Sequence, residues 1–371
     1  MTIGYIIWNV KPQIIDLGNF EIRYYSLLFA LGFVFGYILL LRIFKKQGLT
    51  AELLDKLTIY MVLSTIIGAR VGHCLFYEFD YYIQHPLEII LPWHGKIGTD
   101  FEFTGFQGLA SHGAAIGILV GIYLFALKTK SSYLWTMDLI VIVTALAGCL
   151  IRLGNLMNSE IYGKPTNSSY GFVFTHDLTR LLSEKYAGDI KDISYEKVRD
   201  INNDDHSLPL QINIQFSRKV KNDILPKQFG DYILPNDLKR YNFDNNILPP
   251  DGDSLVYKIE RKDKSLWLIA QIKGVPRHPS QLYEAASYLF IFFILFYIYY
   301  ALDKRHRPGI ILGMFLILVF TARFFIEFLK ENQETFEDNM ALNMGQILSI
   351  PFVISGILLV ILKWPHKTPT T

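Results

Sequence analysis

Apolar residues gather into seven long runs along this chain, at 24–43, 57–78, 109–128, 134–157, 281–301, 309–329 and 343–363. Each is close to the ~20 residues that carry a helix across ~30 Å of hydrocarbon. The pattern changes between the fourth and fifth runs. Residues 159–276 hold 17 of the 36 Lys+Arg and 17 of the 34 Asp+Glu. Within them Leu208, Leu210, Ile212, Ile214 and Phe216, and the run Ser265 to Lys273, alternate with the period of two expected of half-buried strands. The pattern predicts an all-α polytopic membrane protein with seven transmembrane helices. A largely β, α+β extracytoplasmic head is expected as an insert between helices four and five, dividing the chain into 1–158, 159–276 and 277–371. Three Ile-Leu-Pro triplets, at 224–226, 233–235 and 247–249, read as turn or edge signals and not as a long-period repeat.

Charge settles which side each loop faces. Arg42, Lys45, Lys46, Lys56, Lys128, Lys130, Lys304, Arg305, Arg307, Lys363 and Lys367 fall on one side, against Lys11, Arg23, Lys96 and Lys330 in the short segments of the other. The basic side is cytoplasmic by the positive-inside bias, which places the N-terminus and 159–276 outside and the C-terminus inside. A formal net charge of +2 supplies no basic field for nucleic acid. The two cysteines, Cys74 and Cys149, lie within predicted spans; they allow no disulfide framework or CxxC metal site and read as small apolar core residues. The first run starts at Tyr24 and is too long for a signal-peptide core, so no cleavage is expected.

Polar residues within the runs are not spread evenly. An ionisable side chain at mid-membrane costs on the order of 2.5–3.5 kcal/mol on insertion scales, so each needs a partner or a use. At ~1.5 Å per residue, Arg70 lies ~20 Å, Arg152 ~27 Å and Arg323 ~21 Å from the inner ends of their spans. His73 follows the first; Asn155, Asn158 and Glu160 the second; Glu327 the third. The inward-running spans begin with Tyr24 and Tyr25, with Ser111 and His112, and with His278, Gln281, Tyr283 and Glu284. The unusual residues thus share the outer-leaflet end, and the cytoplasmic halves are nearly featureless. Taken singly, Arg70 could snorkel and Arg323 with Glu327 could be an i, i+4 staple. Taken as a set they describe an anion site, and the abundant anion at that depth is a lipid phosphate. Glycines beside them (Gly68, Gly72, Gly108, Gly113, Gly117, Gly148, Gly154) allow close helix approach.

The segment Arg152-Leu-Gly-Asn155-Leu-Met-Asn158-Ser-Glu160-Ile-Tyr-Gly163 resembles the RxGNxxNxExxG signature of the prolipoprotein diacylglyceryl transferases. Further segments resemble that family in the same order: Gly68-Ala-Arg70-Val-Gly-His-Cys-Leu-Phe-Tyr77, Arg277-His-Pro-Ser-Gln281-Leu-Tyr283-Glu284, Arg323-Phe-Phe-Ile-Glu327-Phe and Met344-Gly-Gln346-Ile-Leu-Ser-Ile-Pro351. The resemblance covers 5–172 and 274–364. The family's GMSFHGG segment stands here as Gly108-Leu-Ala-Ser-His112-Gly113-Ala114, and a tyrosine often found four residues before the arginine of span six is Val319, which weakens the case for a required hydroxyl at that position. Residues 173–273 carry no transferable motif.

The resemblance implies transfer of the diacylglyceryl group of phosphatidylglycerol to the lipobox cysteine of prolipoproteins, in a bacterial inner membrane, with no cofactor or metal and no nucleic-acid partner. The substrate supplies the sulfur nucleophile. A phosphate leaving group needs electrostatic stabilisation more than protonation, which falls to Arg152 and Arg323, with Arg70 a further candidate. A free thiol titrates near ~8.5, so a base helps, and His112 either takes that proton or hydrogen-bonds substrate or backbone. Tyr25, Asn155, Asn158, Glu160 and Glu327 are expected to orient lipid and arginines. His278, Gln281 and Glu284 either do the same or tie the head to the helices. An anion transporter is a rival reading, but its polar set should reach both faces or the midplane; a noncatalytic lipid-binding subunit is another.

Overall fold

The computed structural model describes residues 4–16, 21–91, 93–94, 102–103, 108–198, 207–241, 246–248, 255–302, 307–332, 336–337 and 340–364. Lys96, Lys304, Arg305 and Lys367 of the charge comparison, and Pro249 of the third triplet, lie outside them. In chain order the helices are α1 (Tyr24–Lys46), α2 (Ala51–Phe76), the one-turn α3 (Phe79–Tyr82), α4 (Ser111–Thr129), α5 (Tyr133–Met157), α6 (His176–Lys185), α7 (Ile224–Gln228), α8 (Leu234–Arg240), α9 (Ser280–Leu302), α10 (Ile310–Ile326) and α11 (Met344–Lys363). Among the described residues seven are long and apolar enough to cross a membrane, at the positions of the seven runs. A helix satisfies its own backbone in hydrocarbon, so these segments can leave many large apolar side chains uncovered, such as Leu119, Val120 and Leu124 on α4.

The strands are β1 (Ile6–Trp8), β2 (Gln13–Asp16), β3 (Glu21–Arg23), β4 (Trp93–His94), β5 (Glu102–Phe103), β6 (Phe172–Phe174), β7 (Ile190–Lys197), β8 (Leu208–Phe216), β9 (Ile247–Leu248), β10 (Tyr257–Lys262) and β11 (Ser265–Gly274). Contacts divide the chain into two compact units: residues 1–30, 148–288 and 320–350, and residues 31–147, 289–319 and 351–371.

The first unit holds the sheet β10-β11-β8-β7, with β9 pairing the far end of β11. The alternation read in β8 and β11 turns Leu210, Ile212, Ile214, Phe216, Leu266, Leu268, Ala270 and Ile272 into one apolar core with Leu178 and Leu182 of α6 and Leu234 and Leu238 of α8. Asp263 and Lys264 both take positive φ, and their two-residue turn matches the twist of the β10–β11 hairpin. Two of the three Ile-Leu-Pro triplets are helical instead of turn or edge. Pro226 sits in the first turn of α7, where the missing N–H has no intrahelical partner to lose, and Pro235 follows a π-helical turn, Phe229–Ile233, that joins α7 directly to α8. Ile247–Leu248 is indeed an edge strand. The N-terminal β1 pairs in parallel with β6, and Trp8 donates its indole N–H to the Leu156 carbonyl at the end of α5, 2.9 Å away.

The second unit is governed by small residues. On α2, Gly68 and Gly72 meet Gly113 and Gly117 of α4 so closely that a Cβ on Gly68 would lie 2.5 Å from the Gly113 carbonyl oxygen. The start of α5, expected to be nearly featureless, carries a buried acid. Asp138 of α5 is fully buried and accepts 2.7 Å hydrogen bonds from the backbone N–H groups of Gly309 and Leu312, at the start of α10. Those N–H groups have no partner within their own helix, so a carboxylate supplied by another helix caps them and is itself held.

Candidate functional site

The C-terminal end of α5 carries Arg152 and Asn155 one turn apart, and the chain leaves the helix through Ser159 and Ile161, both at positive φ. A left-handed conformation at a β-branched residue is strained, and it brings Glu160 back toward the helix end. Asn155 donates to the Glu160 carboxylate at 2.7 Å and Asn158 to the same oxygen at 3.2 Å. Asn155 also accepts from Nη1 of Arg152 at 3.2 Å. From α9, Gln281 donates to the Glu160 backbone carbonyl at 2.7 Å. Asn158 Oδ1 and Gln281 Oε1 are buried without a hydrogen-bond partner among the described residues. Tyr25 of α1 packs directly on Gly154, where a Cβ would come within 2.8 Å of the tyrosine ring.

A second set of contacts joins the two arginines through acids and one lysine. Arg152 Nε lies 2.6 Å from Oε2 of Glu284, whose side chain is wholly buried. The other oxygen of Glu284 lies 3.0 Å from Lys330 Nζ, which lies 3.2 Å from Oε1 of Glu327. That oxygen is 3.5 Å from Arg323 Nε. The signs alternate from end to end: Arg152, Glu284, Lys330, Glu327, Arg323. Tyr288 of α9 sits in the field of both arginines. The Glu327 carboxylate also takes an Asn343 amide hydrogen bond at 3.4 Å and lies so close to Gly345 that a Cβ there would be 2.6 Å from its carbon. Arg323 is the more open end, with 37% of its side chain accessible against 18% for Arg152.

Lys330 had been read only as a loop charge, yet its side chain is 4% accessible. Its place is set by backbone: Lys330 bridges Gly163, and Lys164 N–H donates to Leu329. A Cβ on Gly163 would lie 2.5 Å from the Leu329 carbonyl oxygen and 2.7 Å from Cβ of His278, so this position admits only glycine. The signal was present as a lysine three residues beyond Glu327, but a lysine ending a span reads the same way when it faces water. Arg277, also missed as a site residue, is buried over the Tyr162 ring and donates to the Gly163 carbonyl and to Glu331. His278 exchanges backbone hydrogen bonds with Gly163 and Lys164, and its Nδ1 lies 3.2 Å from the Tyr283 hydroxyl. Burial pushes its pKa down, favouring the neutral ring.

His112, Arg70 and His73 belong to the second unit. His112 stands exposed in the first turn of α4, edge-on to Phe76 at 5.2 Å and tilted against Tyr77 at 5.7 Å. His73 stacks on the same tyrosine, Tyr77, at 5.6 Å, with Nε2 3.6 Å from Glu78. Arg70 is buried and does not snorkel. It donates to the backbone carbonyls of Ile89 at 3.1 Å and Glu88 at 2.7 Å and lies over the Tyr82 ring. These contacts pin the segment after α2. In that segment the Tyr81 hydroxyl donates to the Glu88 carboxylate, which pushes its pKa up to about 12.

Residues 12–362 match the family model described as prolipoprotein diacylglyceryl transferase. Among similar proteins is a phosphatidylglycerol–prolipoprotein diacylglyceryl transferase of Bacteroides fragilis, 34% identical over 94% of this chain and 92% of its own length. Proteins of the same name from Tolumonas auensis and Chloroherpeton thalassium are 34% and 32% identical, over 98% and 97% of this chain and 99% and 94% of theirs.

Proposed function

The chain belongs to the prolipoprotein diacylglyceryl transferase family, and we propose that it transfers the diacylglyceryl group of phosphatidylglycerol to the lipobox cysteine of prolipoproteins. The observation that carries this reading is the pair Arg152 and Arg323 held at the two ends of one ion-paired chain. Two guanidinium groups fixed from behind by acids are suited to a phosphate, which they bind through planar N–H edges.

In the reaction the substrate thiolate attacks the glyceryl carbon that bears the phosphate ester. A carbon–sulfur bond forms, the carbon–oxygen bond breaks, and glycerol phosphate leaves with the electron pair. Arg152 and Arg323 stabilise the charge that grows on the phosphate oxygens, a contribution that oxyanion donors make at ~10²–10³ in rate. Asn158 Oδ1 and Gln281 Oε1, buried acceptors without a donor among the described residues, take the hydroxyl groups of the glycerol headgroup. Tyr25, Asn155, Glu160 and Glu327 hold lipid and arginines in place; Glu284 and Gln281 act directly on Arg152 and Glu160; and His278 ties the segment before α9 to Gly163 and Lys164. His112, exposed in the first turn of α4, takes the thiol proton. The N-terminus and residues 159–276 lie outside the bacterial inner membrane, the head between the fourth and fifth spans guides prolipoprotein, and the C-terminus is cytoplasmic.

Purified protein given phosphatidylglycerol vesicles and a lipobox peptide should yield a peptide heavier by one diacylglyceryl group, together with free glycerol phosphate. Anion flux without thioether would support a transporter, and lipid retention without product a binding subunit; either result replaces the present reading.

A further inference from the structure

Of the five groups in the alternating chain, Lys330 is the one that touches both acids. We infer that Lys330 is a positioning residue for the transfer: it occupies one oxygen of Glu284 and one of Glu327, and so limits how each acid can hold its arginine. The inference rests on the transferase reading and extends it to a residue that neither arginine contacts.

The geometry gives the reason. Glu284 presents Oε1 to Lys330 and Oε2 to Arg152, and the contact on Arg152 is at Nε. Glu327 shares Oε1 between Lys330 and the Nε of Arg323, and its Oε2 takes the Asn343 amide. A carboxylate with both oxygens unoccupied grips a guanidinium side-on, through two parallel N–H donors, which is the strongest mode available to it. With Lys330 present neither acid is available for that grip, and the outer N–H edge of Arg323 stays available for phosphate. Without Lys330, Glu284 would have both oxygens for Arg152 and would compete with the substrate for the same donors, and Glu327 would have Oε1 for Arg323 alone. The lysine reaches this position because Gly163 lets its backbone approach, and it is buried where an unpaired charge is costly, so it stays between the acids.

A structural staple and a positioning residue predict different results when a second group is removed. Lys330→Met should lower kcat/KM for phosphatidylglycerol about 100-fold, with Lys330→Arg recovering most of the loss because it also spans two acids. In the Lys330→Met background, Glu284→Gln should raise the rate again by about tenfold, since the amide no longer competes for Arg152. Glu284→Gln alone should lower it. All four proteins are compared in detergent at matched folded fraction, judged by size exclusion and thermal unfolding, with the same vesicles and peptide. A further fall on adding Glu284→Gln, or a near-normal kcat/KM for Lys330→Met, would overturn the inference. So would failure of Lys330→Arg to recover activity while remaining folded. If the unaltered protein makes no thioether, the transferase reading fails, and that outcome is seen before any variant is compared.

Discussion

The two units solve the same problem, buried polarity in a membrane-spanning chain, in opposite ways. In the second, Asp138 is satisfied by backbone N–H groups at a helix start, and Arg70 donates to backbone carbonyls at Glu88 and Ile89. In the first, Arg152, Glu284, Lys330, Glu327 and Arg323 are ion-paired with one another. A side chain bound to backbone serves the fold, because the backbone group cannot leave its place. Side chains bound to side chains can exchange partners, and only such a cluster can accept a ligand without unravelling a helix. Burial alone therefore does not separate the arginines: Arg70 is more buried than Arg323 and is bound to backbone carbonyls, whereas Arg323 is paired with an acid.

The largest expected effect tests the exchangeable cluster. Arg152→Lys or Arg323→Lys should each lower transfer about 10²–10³-fold, because lysine keeps the charge but not the planar fork. Product formation near the unaltered rate in either folded variant would remove the phosphate assignment. Gly163→Ala should come next, with a loss of about 10-fold or more: the new methyl displaces the Leu329–Lys330 backbone and with it the lysine between the acids. Peptide mass spectrometry measures the rate, and an unchanged rate would mean that this segment shifts without consequence.

A smaller effect is expected at His112, and it depends on pH. If the imidazole takes the thiol proton, His112→Gln should be impaired at neutral pH and recover as the pH rises toward ~8.5, where thiolate forms unaided. A loss of the same size at every pH would leave His112 a positioning role. Asp138→Asn sharpens the contrast from the other side. It should cost about 1.5–3 kcal/mol of stability, the range for hydrogen bonds to a charged group, while kcat at a permissive temperature barely changes. Thermal unfolding in detergent and a rate assay at low temperature separate the two, and a rate loss without a stability loss would blur the distinction drawn between the units.

The periodicity of the chain determined a great deal by itself. Runs of apolar residues fixed seven helices because length and hydropathy are local properties, and alternation fixed β8 and β11 because a pleated strand exposes every second residue. Two of the three Ile-Leu-Pro triplets misled because proline is accommodated in a helical turn as readily as in a loop. Ordered motifs singled out Arg152, Glu160, Gln281, Glu284, Arg323 and Glu327 without saying which touch. Only the tertiary structure decided that Glu284 holds Arg152 and that Arg70 holds a loop. It alone placed Lys330, ordinary in sequence, between two buried acids, and showed that Gly163 is needed for its lack of a Cβ. Ion pairs form across helices whose contacting faces leave no periodic trace in the chain, so partnership, unlike helicity, is settled only when the helices pack.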